Sequence, residues 1–386
     1  MKRLRICFVC NEYPPGPNGG IGIVTQVLGR SLVRAGGHDV RVVGLYHRNW
    51  PAPAYEEDQG VKVWRLQWSR GRAGWVESRW RLFQLIASWA RAGEIDLVEV
   101  PDWEGMAAGW PALSVPVVMR AHGSVRYFNA ELARPTGPVM WLAERASMKR
   151  ADDWIAVSHY LGQRTQDLFG LPQGPSAILY NRVEIPPLPC KCRDARAVVF
   201  TGTLTPKKGV ITLAKAWTQV VARFPDARLH MFGKDTIHEG QSMQAVLGSL
   251  LGSSRRSVTF HGHVDNAELL QALKRFPIAV FPSYAEGMGI APLEAMACGC
   301  ATIFSRCGPG DEFMRDEQDG FLVDPDRPED IADKICRLLA DEPLAQQLGL
   351  AGRARVTRDF SIDALPAGNL AFYDRCLEDF RLRRAS

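Results

Sequence analysis

Short apolar runs alternate with longer amphipathic stretches along the whole chain. Residues 6–10, 40–44, 95–100, 115–119 and 154–157 are apolar runs bounded by Gly, Pro or polar residues, the pattern of buried strands. Between the first two, apolar positions at Ile23, Val27 and Val33 follow helical spacing until Gly36-Gly37 ends the segment. Strands alternating with helices predict an α/β architecture with a parallel sheet covered on both faces. After the proline-rich stretch 186–196 the pattern restarts, with strands expected at 197–201, 228–232, 258–260, 278–281, 302–304 and 321–323. Near the end, Leu370, Tyr373, Leu377 and Phe380 recur at steps of three, four and three, the stripe of an amphipathic helix over 366–382 that needs a surface to cover. The expected organisation is a first doubly wound domain over 1–185, a linker over 186–196, a second over 197–365, and a closing segment over 366–386 that crosses back to the first.

A chain of 386 residues suits two domains of roughly 150 to 200 residues. With 46% hydrophobic and 23% charged residues, and no repeat or low-complexity tract, disorder and solenoid folds are excluded. Residues 1–185 hold 22 Lys+Arg against 17 Asp+Glu and the remainder 25 against 25, so the formal excess of +5 lies in the first half. That is too weak for nucleic-acid binding; it fits an anionic acceptor, an anionic membrane surface or an ordinary solvated face. The run 6–10 is too short for a signal peptide, and no apolar run approaches the ~18 residues of a membrane span. Nine scattered cysteines fit a reducing cytoplasm. Cys7 and Cys10 form a C-x-x-C, but on a strand their odd spacing points them to opposite faces, and no second pair completes a zinc site.

The richest stretch chemically is Pro282-Ser-Tyr-Ala-Glu-Gly-Met-Gly-Ile-Ala-Pro-Leu-Glu-Ala-Met-Ala-Cys-Gly299. Gly287 and Gly289 allow a tight turn after the strand at 278–281, and Pro292 suits the first turn of a helix that ends at Gly299. Such a helix opens on free N–H groups and a positive dipole end, an anion site. Glu286 and Glu294 flank it, and carboxylates beside an anion site suit a ligand carrying hydroxyls next to phosphate. Glu294, among Leu293, Ala295 and Met296, needs a hydrogen-bonding partner.

This stretch resembles the E-x7-E signature of retaining glycosyltransferases of family 4. Further pieces follow in the family's order: Pro14-Pro15 with Gly19-Gly-Ile-Gly22, Ala121-His-Gly123, residues 151–158, Asn181-Arg-Val183, Gly202-Thr-Leu-Thr-Pro-Lys-Lys-Gly209 and Asp319-Gly-Phe-Leu-Val323. The resemblance implies a GT-B fold, two Rossmann-like domains facing across a cleft. It implies that Glu294 holds ribose hydroxyls, that Glu286 holds the transferred sugar, and that the 287–290 loop (Gly287, Met288, Gly289, Ile290) presents amides to the distal phosphate. It places Lys208 on the diphosphate, Gly20 and Gly22 on the first-domain loop that approaches the donor, His263 and Val264 near the base, and His122 near the sugar or the departing oxygen. At Thr203 the chain departs from the family, which commonly has arginine there; either Lys207 substitutes or the diphosphate leans more on backbone N–H groups. Retention of configuration is implied by the family alone.

Three readings are weighed against these. The glycines at 16–22 mimic a dinucleotide fingerprint, but the acidic residue expected after the second strand is absent, since 40–44 runs into Leu45-Tyr-His47. Asp324-Pro-Asp326 is formally a D-x-D metal motif and sits where a turn is expected, so no metal or other cofactor is anticipated. Residues 70–92 interleave five arginines and one glutamate with three tryptophans; this fits both a membrane interface and an outer helix with a wet arginine face, and Trp75, Arg79 and Arg81 are the residues to test. The reading is a cytoplasmic, metal-independent, retaining transferase moving a hexose-type sugar from a nucleoside diphosphate to a glycan or lipid-linked saccharide, with no nucleic-acid partner. The alternatives are a non-catalytic sugar-nucleotide binding protein and a GT-B relative such as an epimerase.

Overall fold

A computed structural model describes residues 3–16, 19–71, 73–187 and 193–385; Pro17 and Asn18 of the glycine loop, Arg72 and linker residues 188–192 lie outside the described residues. The chain divides into two compact units, Met1–Asn181 together with Asp363–Ser386, and Arg182–Ile362. The division precedes the proline-rich stretch because Val183 bridges to Ser361 and the Arg182 guanidinium donates to the Asp359 and Ser361 carbonyls at 3.1 and 3.3 Å. Those bonds draw the outgoing segment into the second unit.

The first unit is built on β1 (Arg5–Val9), β2 (Asp39–Tyr46), β3 (Tyr55–Asp58), β4 (Val61–Gln67), β5 (Leu97–Pro101), β6 (Val117–Ala121) and β7 (Asp153–Ala156). Their order is β3-β4-β2-β1-β5-β6-β7, parallel except for the β3–β4 pair. The helices are α1 (Gly20–Gly36), α2 (Gly74–Arg91), α3 (Val125–Glu131), α4 (Pro138–Arg150) and α5 (His159–Phe169). Helix α1 stops where Gly37 turns left-handed at φ 60°, its N–H returning to the Val33 carbonyl. Strand β4 alternates Val61, Val63 and Arg65 inward with Lys62, Trp64 and Leu66 more exposed, a period-two pattern.

The second unit carries β8 (Ala197–Thr201), β9 (Arg228–Phe232), the short antiparallel pair β10 (Ile237–His238) and β11 (Gln241–Ser242), β12 (Val258–Gly262), β13 (Ile278–Phe281), β14 (Ala301–Ser305) and β15 (Phe321–Val323). Helices α6 (Val210–Arg223), α7 (Met243–Leu251), α8 (Asn266–Leu273), α9 (Ile290–Ala297), α10 (Gly310–Phe313), α11 (Pro328–Ala340) and α12 (Glu342–Asp359) accompany its six-stranded parallel sheet, ordered β12-β9-β8-β13-β14-β15. Counting parallel strands in chain order, both main sheets read 3-2-1-4-5-6. The order reverses between β1 and β5 in one unit and between β8 and β13 in the other, and ligands of open α/β sheets bind outside the strand ends at such reversals.

The last helix, α13 (Leu365–Ala385), belongs to the first unit. Leu370, Tyr373 and Leu377 are buried, and the anchor beneath them is polar. Arg120 on β6 and Glu99 on β5 form a buried ion pair at 2.6 Å, Tyr373 donates to Glu99 at 2.7 Å, and Arg120 donates to Asn369 at 2.6 Å. Removing one member of such a pair leaves the other charge buried and unmatched, at a cost of about 3–5 kcal/mol.

Candidate active site

In the second unit the loops that leave β8 and β13 are locked together. Gly209 has φ +71°, and a Cβ there would lie 1.8 Å from the Pro282 carbonyl oxygen, so only glycine allows this approach. The Tyr284 N–H donates to the Lys207 carbonyl at 2.8 Å, while the Tyr284 hydroxyl meets Thr212 at 2.8 Å and donates to the Pro325 carbonyl at 2.9 Å. This lock brings Lys208 Nζ to 2.6 Å from Glu286 Oε1, at the reversal point of the sheet.

Glu286 is buried. Burial pushes its carboxyl up, but Lys208, Lys207 and Ser283 outweigh that and hold it below the ordinary range. Burial and the neighbouring Lys208 lower the Lys207 ammonium to about 8, against the pull of Glu286, so most of it stays charged at neutral pH. The Thr201 and Thr205 hydroxyl oxygens nearby in sequence are shielded from solvent and have no hydrogen-bond partner among the described residues. Buried polar atoms without partners are uncommon and suit a polar ligand. Thr203 is exposed beside them.

Gly287, Met288 and Gly289 are buried, and Gly289 is the N-cap of α9, which begins at Ile290. A Cβ on Gly289 would come within 2.8 Å of Pro292 and 3.1 Å of Phe304, so the tight entry into the helix also requires glycine. Glu294 lies one turn from the end of α9. Burial pushes its carboxyl up to about 7; a hydrogen bond from Asn266 opposes this and Glu184 adds to it. The far end of the helix is gripped by two guanidinium groups. Arg193 donates to the Cys298 and Gly299 carbonyls at 2.6 Å each, and Arg353 on α12 bonds the Ala297 carbonyl and, at 2.7 Å, that of Pro186. Cations there also complement the helix dipole.

His263 is exposed and Val264 half-buried, in the turn between β12 and Asp265, whose carboxylate caps α8 at the Glu268 amide. Asp324 accepts from the Asp326 amide at 2.9 Å, so the D-x-D stretch is a side-chain-closed turn. Among the described residues no group of three His, Cys, Asp or Glu side chains could hold a metal ion.

In the first unit, Gly20 and Gly22 open α1, and the loop's own carboxylate is already there. Glu12 accepts from the Gly19 amide at 3.0 Å and the Gly22 amide at 3.1 Å; burial raises its carboxyl while these backbone bonds pull it back down. The Gly22 amide is therefore spent inside the protein. His122 follows β6, with its imidazole driven down to about 3 by burial and by Arg120, hence neutral at working pH. Its loop is held from β5: both oxygens of buried Asp102 accept amides, from His122 at 2.9 Å and Gly123 at 3.1 Å. Burial, with Glu144 adding, pushes Asp102 up to about 7 against those bonds. Glu144 in turn accepts from the Glu104, Val125 and Arg126 amides. Glu12 and Asp102 are absent from the sequence-derived site, because their partners are backbone amides that only the fold brings near.

The segment 70–92 forms α2 and splits the residues grouped by sequence. Arg79 is buried, donates to the Gly105 and Glu104 carbonyls at 2.7 and 2.8 Å, and stacks 4.0 Å from the Trp75 ring. It is an internal brace for the loop after β5 and drops out of any membrane-facing set, whereas Trp75 and Arg81 remain at the surface.

Two doubly wound units, each with the strand order 3-2-1-4-5-6, have the architecture of the GT-B class of glycosyltransferases. Comparison with known proteins agrees: residues 18–185 match the model described as Glycosyltransferase Family 4 and residues 195–341 that described as Glycosyl transferases group 1. The chain belongs to glycosyltransferase family 4. It is 26% identical to a glycogen synthase of Mycobacterium tuberculosis over 96% of this chain and 94% of that protein. Among solved structures, sucrose-phosphate synthase from Thermosynechococcus elongatus aligns with a TM-score of 0.79 and 22% identity over 100% of both chains. Anabaena HepE in complex with UDP and glucose aligns with a TM-score of 0.74 and 17% identity over 96% of this chain and 100% of that one.

Proposed function

We propose that the protein is a metal-independent, retaining hexosyltransferase that moves a sugar from a nucleoside diphosphate to a glycan or lipid-linked saccharide, in the cytoplasm, for cell-surface polysaccharide or glycolipid synthesis. The observation that carries this reading is the Lys208–Glu286 pair at the sheet reversal, beside the start of α9. Lys208 exchanges part of its bond with Glu286 for the leaving diphosphate, and Lys207 supplies the second charge that Thr203 does not. Fixed cations and amides aimed at developing charge stabilise bond breaking without a metal. Freed of Lys208, Glu286 accepts from hydroxyls of the sugar, and Glu294 accepts from ribose. His263 and Val264 border the base. In the first unit His122 is neutral and its backbone amide is held by Asp102; the family resemblance assigns His122 to the sugar or the departing oxygen and Gly20 to the donor. The hexose assignment is supported by the glucose and UDP that HepE holds and by the sugar chemistry in the names of the other relatives.

A thermal-shift screen of nucleotide sugars tests the reading, since a ligand that binds the native state raises its stability. One donor is expected to raise the melting temperature and to hydrolyse slowly in excess chelator. Binding without hydrolysis would leave a non-catalytic sugar-nucleotide binder, and hydrolysis restored only by added manganese or magnesium would remove the metal-independent mechanism.

A further inference from the structure

The outer face of α2 and the pocket at its foot have no part in the sugar-transfer site. Trp75, Val76 and Trp80 are 44%, 63% and 48% exposed on this helix. Two half-exposed tryptophans and a valine on a single helix form an apolar patch that the first unit's own packing leaves open. Beside it, a cavity of about 490 Å³ is lined by Arg48, Arg65, Ser69, Arg70 and Arg81, with Glu77 the single acid on its wall.

The arginines are not equivalent. Arg65 is internally matched, paired with Glu56 at 2.5 Å and bonded to the Pro14 and Pro53 carbonyls. Arg48 and Arg70 are exposed and have no partner among the described residues. Arg81 has one long bond, to the Ser69 hydroxyl at 3.4 Å. Three unmatched guanidinium groups crowded round one pocket repel one another, and folding alone gives no reason to gather them next to exposed indoles. A layer of phosphates lying directly over hydrocarbon offers both halves of the complement: arginine binds phosphate bidentately, and indole prefers the boundary between headgroup and acyl chain.

We propose that this surface docks the first unit on a membrane rich in anionic phospholipid, with headgroup phosphate in the Arg48–Arg70–Arg81 pocket and Trp75, Val76 and Trp80 entering the acyl boundary. The contact is peripheral, since no helix among the described residues is long and apolar enough to cross a bilayer. Arg79 is excluded from it, because its charge is turned inward onto two carbonyls. The inference stands apart from the proposed reaction, since it uses none of the residues assigned to donor or sugar.

Sedimentation with phosphatidylglycerol vesicles and with phosphatidylcholine vesicles at low ionic strength tests it. The wild-type chain is expected to bind the former and ignore the latter. Each basic residue near an anionic surface contributes about fivefold to partitioning, so Arg70→Gln with Arg81→Gln should weaken binding about 25-fold. Trp75→Ser with Trp80→Ser should weaken it by about tenfold or more, through lost apolar burial. The arginine pair is exposed and its double variant should keep the wild-type melting temperature, which separates lost docking from lost folding. The tryptophan variant also loses the Trp75–Arg79 and Trp80–Phe83 stacking, so it is compared below its own measured melting temperature and read only if circular dichroism shows it folded. Equal binding to both vesicles, or double variants that sediment like wild type, would overturn the proposal. So would displacement from vesicles by millimolar inorganic phosphate, which would make the pocket a free-phosphate site, or binding to soluble heparin with no binding to either vesicle.

Discussion

In the first unit the helix after β1 receives a carboxylate from its own chain: Glu12 occupies the amides of Gly19 and Gly22. In the second, the helix after β13 starts at Gly289, which has no side chain to cap it, and the charges beside it are Lys207 and Lys208. Both sheets have the same strand order, so topology alone does not separate them. The difference lies in what fills the reversal point. The first unit uses half-buried Glu12 and buried Asp102 to fasten its loops, and the second sets Lys207 and the Lys208–Glu286 pair beside a helix start that has no side-chain cap. A glycine loop ahead of a helix thus serves as an anion site only where no carboxylate of the chain already occupies its amides.

The comparison is broken most directly at Lys208. Lys208→Met should lower kcat about 100- to 1,000-fold, the usual consequence of losing a charge aimed at a transition state. Steady-state transfer from the donor found in the thermal screen checks this, and near-normal turnover would show that the second reversal point is structural like the first. Glu294 sharpens the contrast through pH. Its carboxyl holds a proton up to about 7 when folded and to the ordinary 4.5 when unfolded, so the folded state binds more protons between those values. The stability this group contributes is therefore complete below pH 4.5 and lost as pH rises through 7, an effect of roughly 3 kcal/mol. Urea unfolding of wild type and Glu294→Gln across that range should show the wild type losing stability relative to the variant, and parallel curves would mean that Glu294 is solvated. The smallest effect is expected at Glu12→Ala, which removes the carboxylate from α1 at a cost of about 1 kcal/mol and a fall in Tm of about 2–4 °C. A calorimetric scan with no shift would show that the cap contributes nothing.

Strands at 197–201, 228–232, 278–281 and 321–323 were legible to the residue: three are dense apolar runs and 228–232 alternates Arg228 and His230 with Leu229 and Met231, each closed by glycine, proline or a charge. The β3–β4 pair went unread although Val61, Val63 and Arg65 alternate with Lys62 and Trp64; an inward arginine disguised the period. The start of α9 was legible because glycine, proline and the apolar turn lie within a few residues of one another. Which arginines of α2 face water was not. Arg79 and Arg81 are two residues apart and alike in composition, and only the position of the loop after β5 gives Arg79 two carbonyls to bind.

The Arg120–Glu99–Tyr373–Asn369 anchor makes the two units unequal as fragments. Residues 182–362 form one uninterrupted stretch that could be expressed by itself, whereas the other unit is assembled from both chain ends. A C-terminal truncation ahead of Asn369 would damage the opposite half of the molecule from the one it adjoins in sequence, stripping a guanidinium and a carboxylate of their cover in the sheet where residue numbering begins.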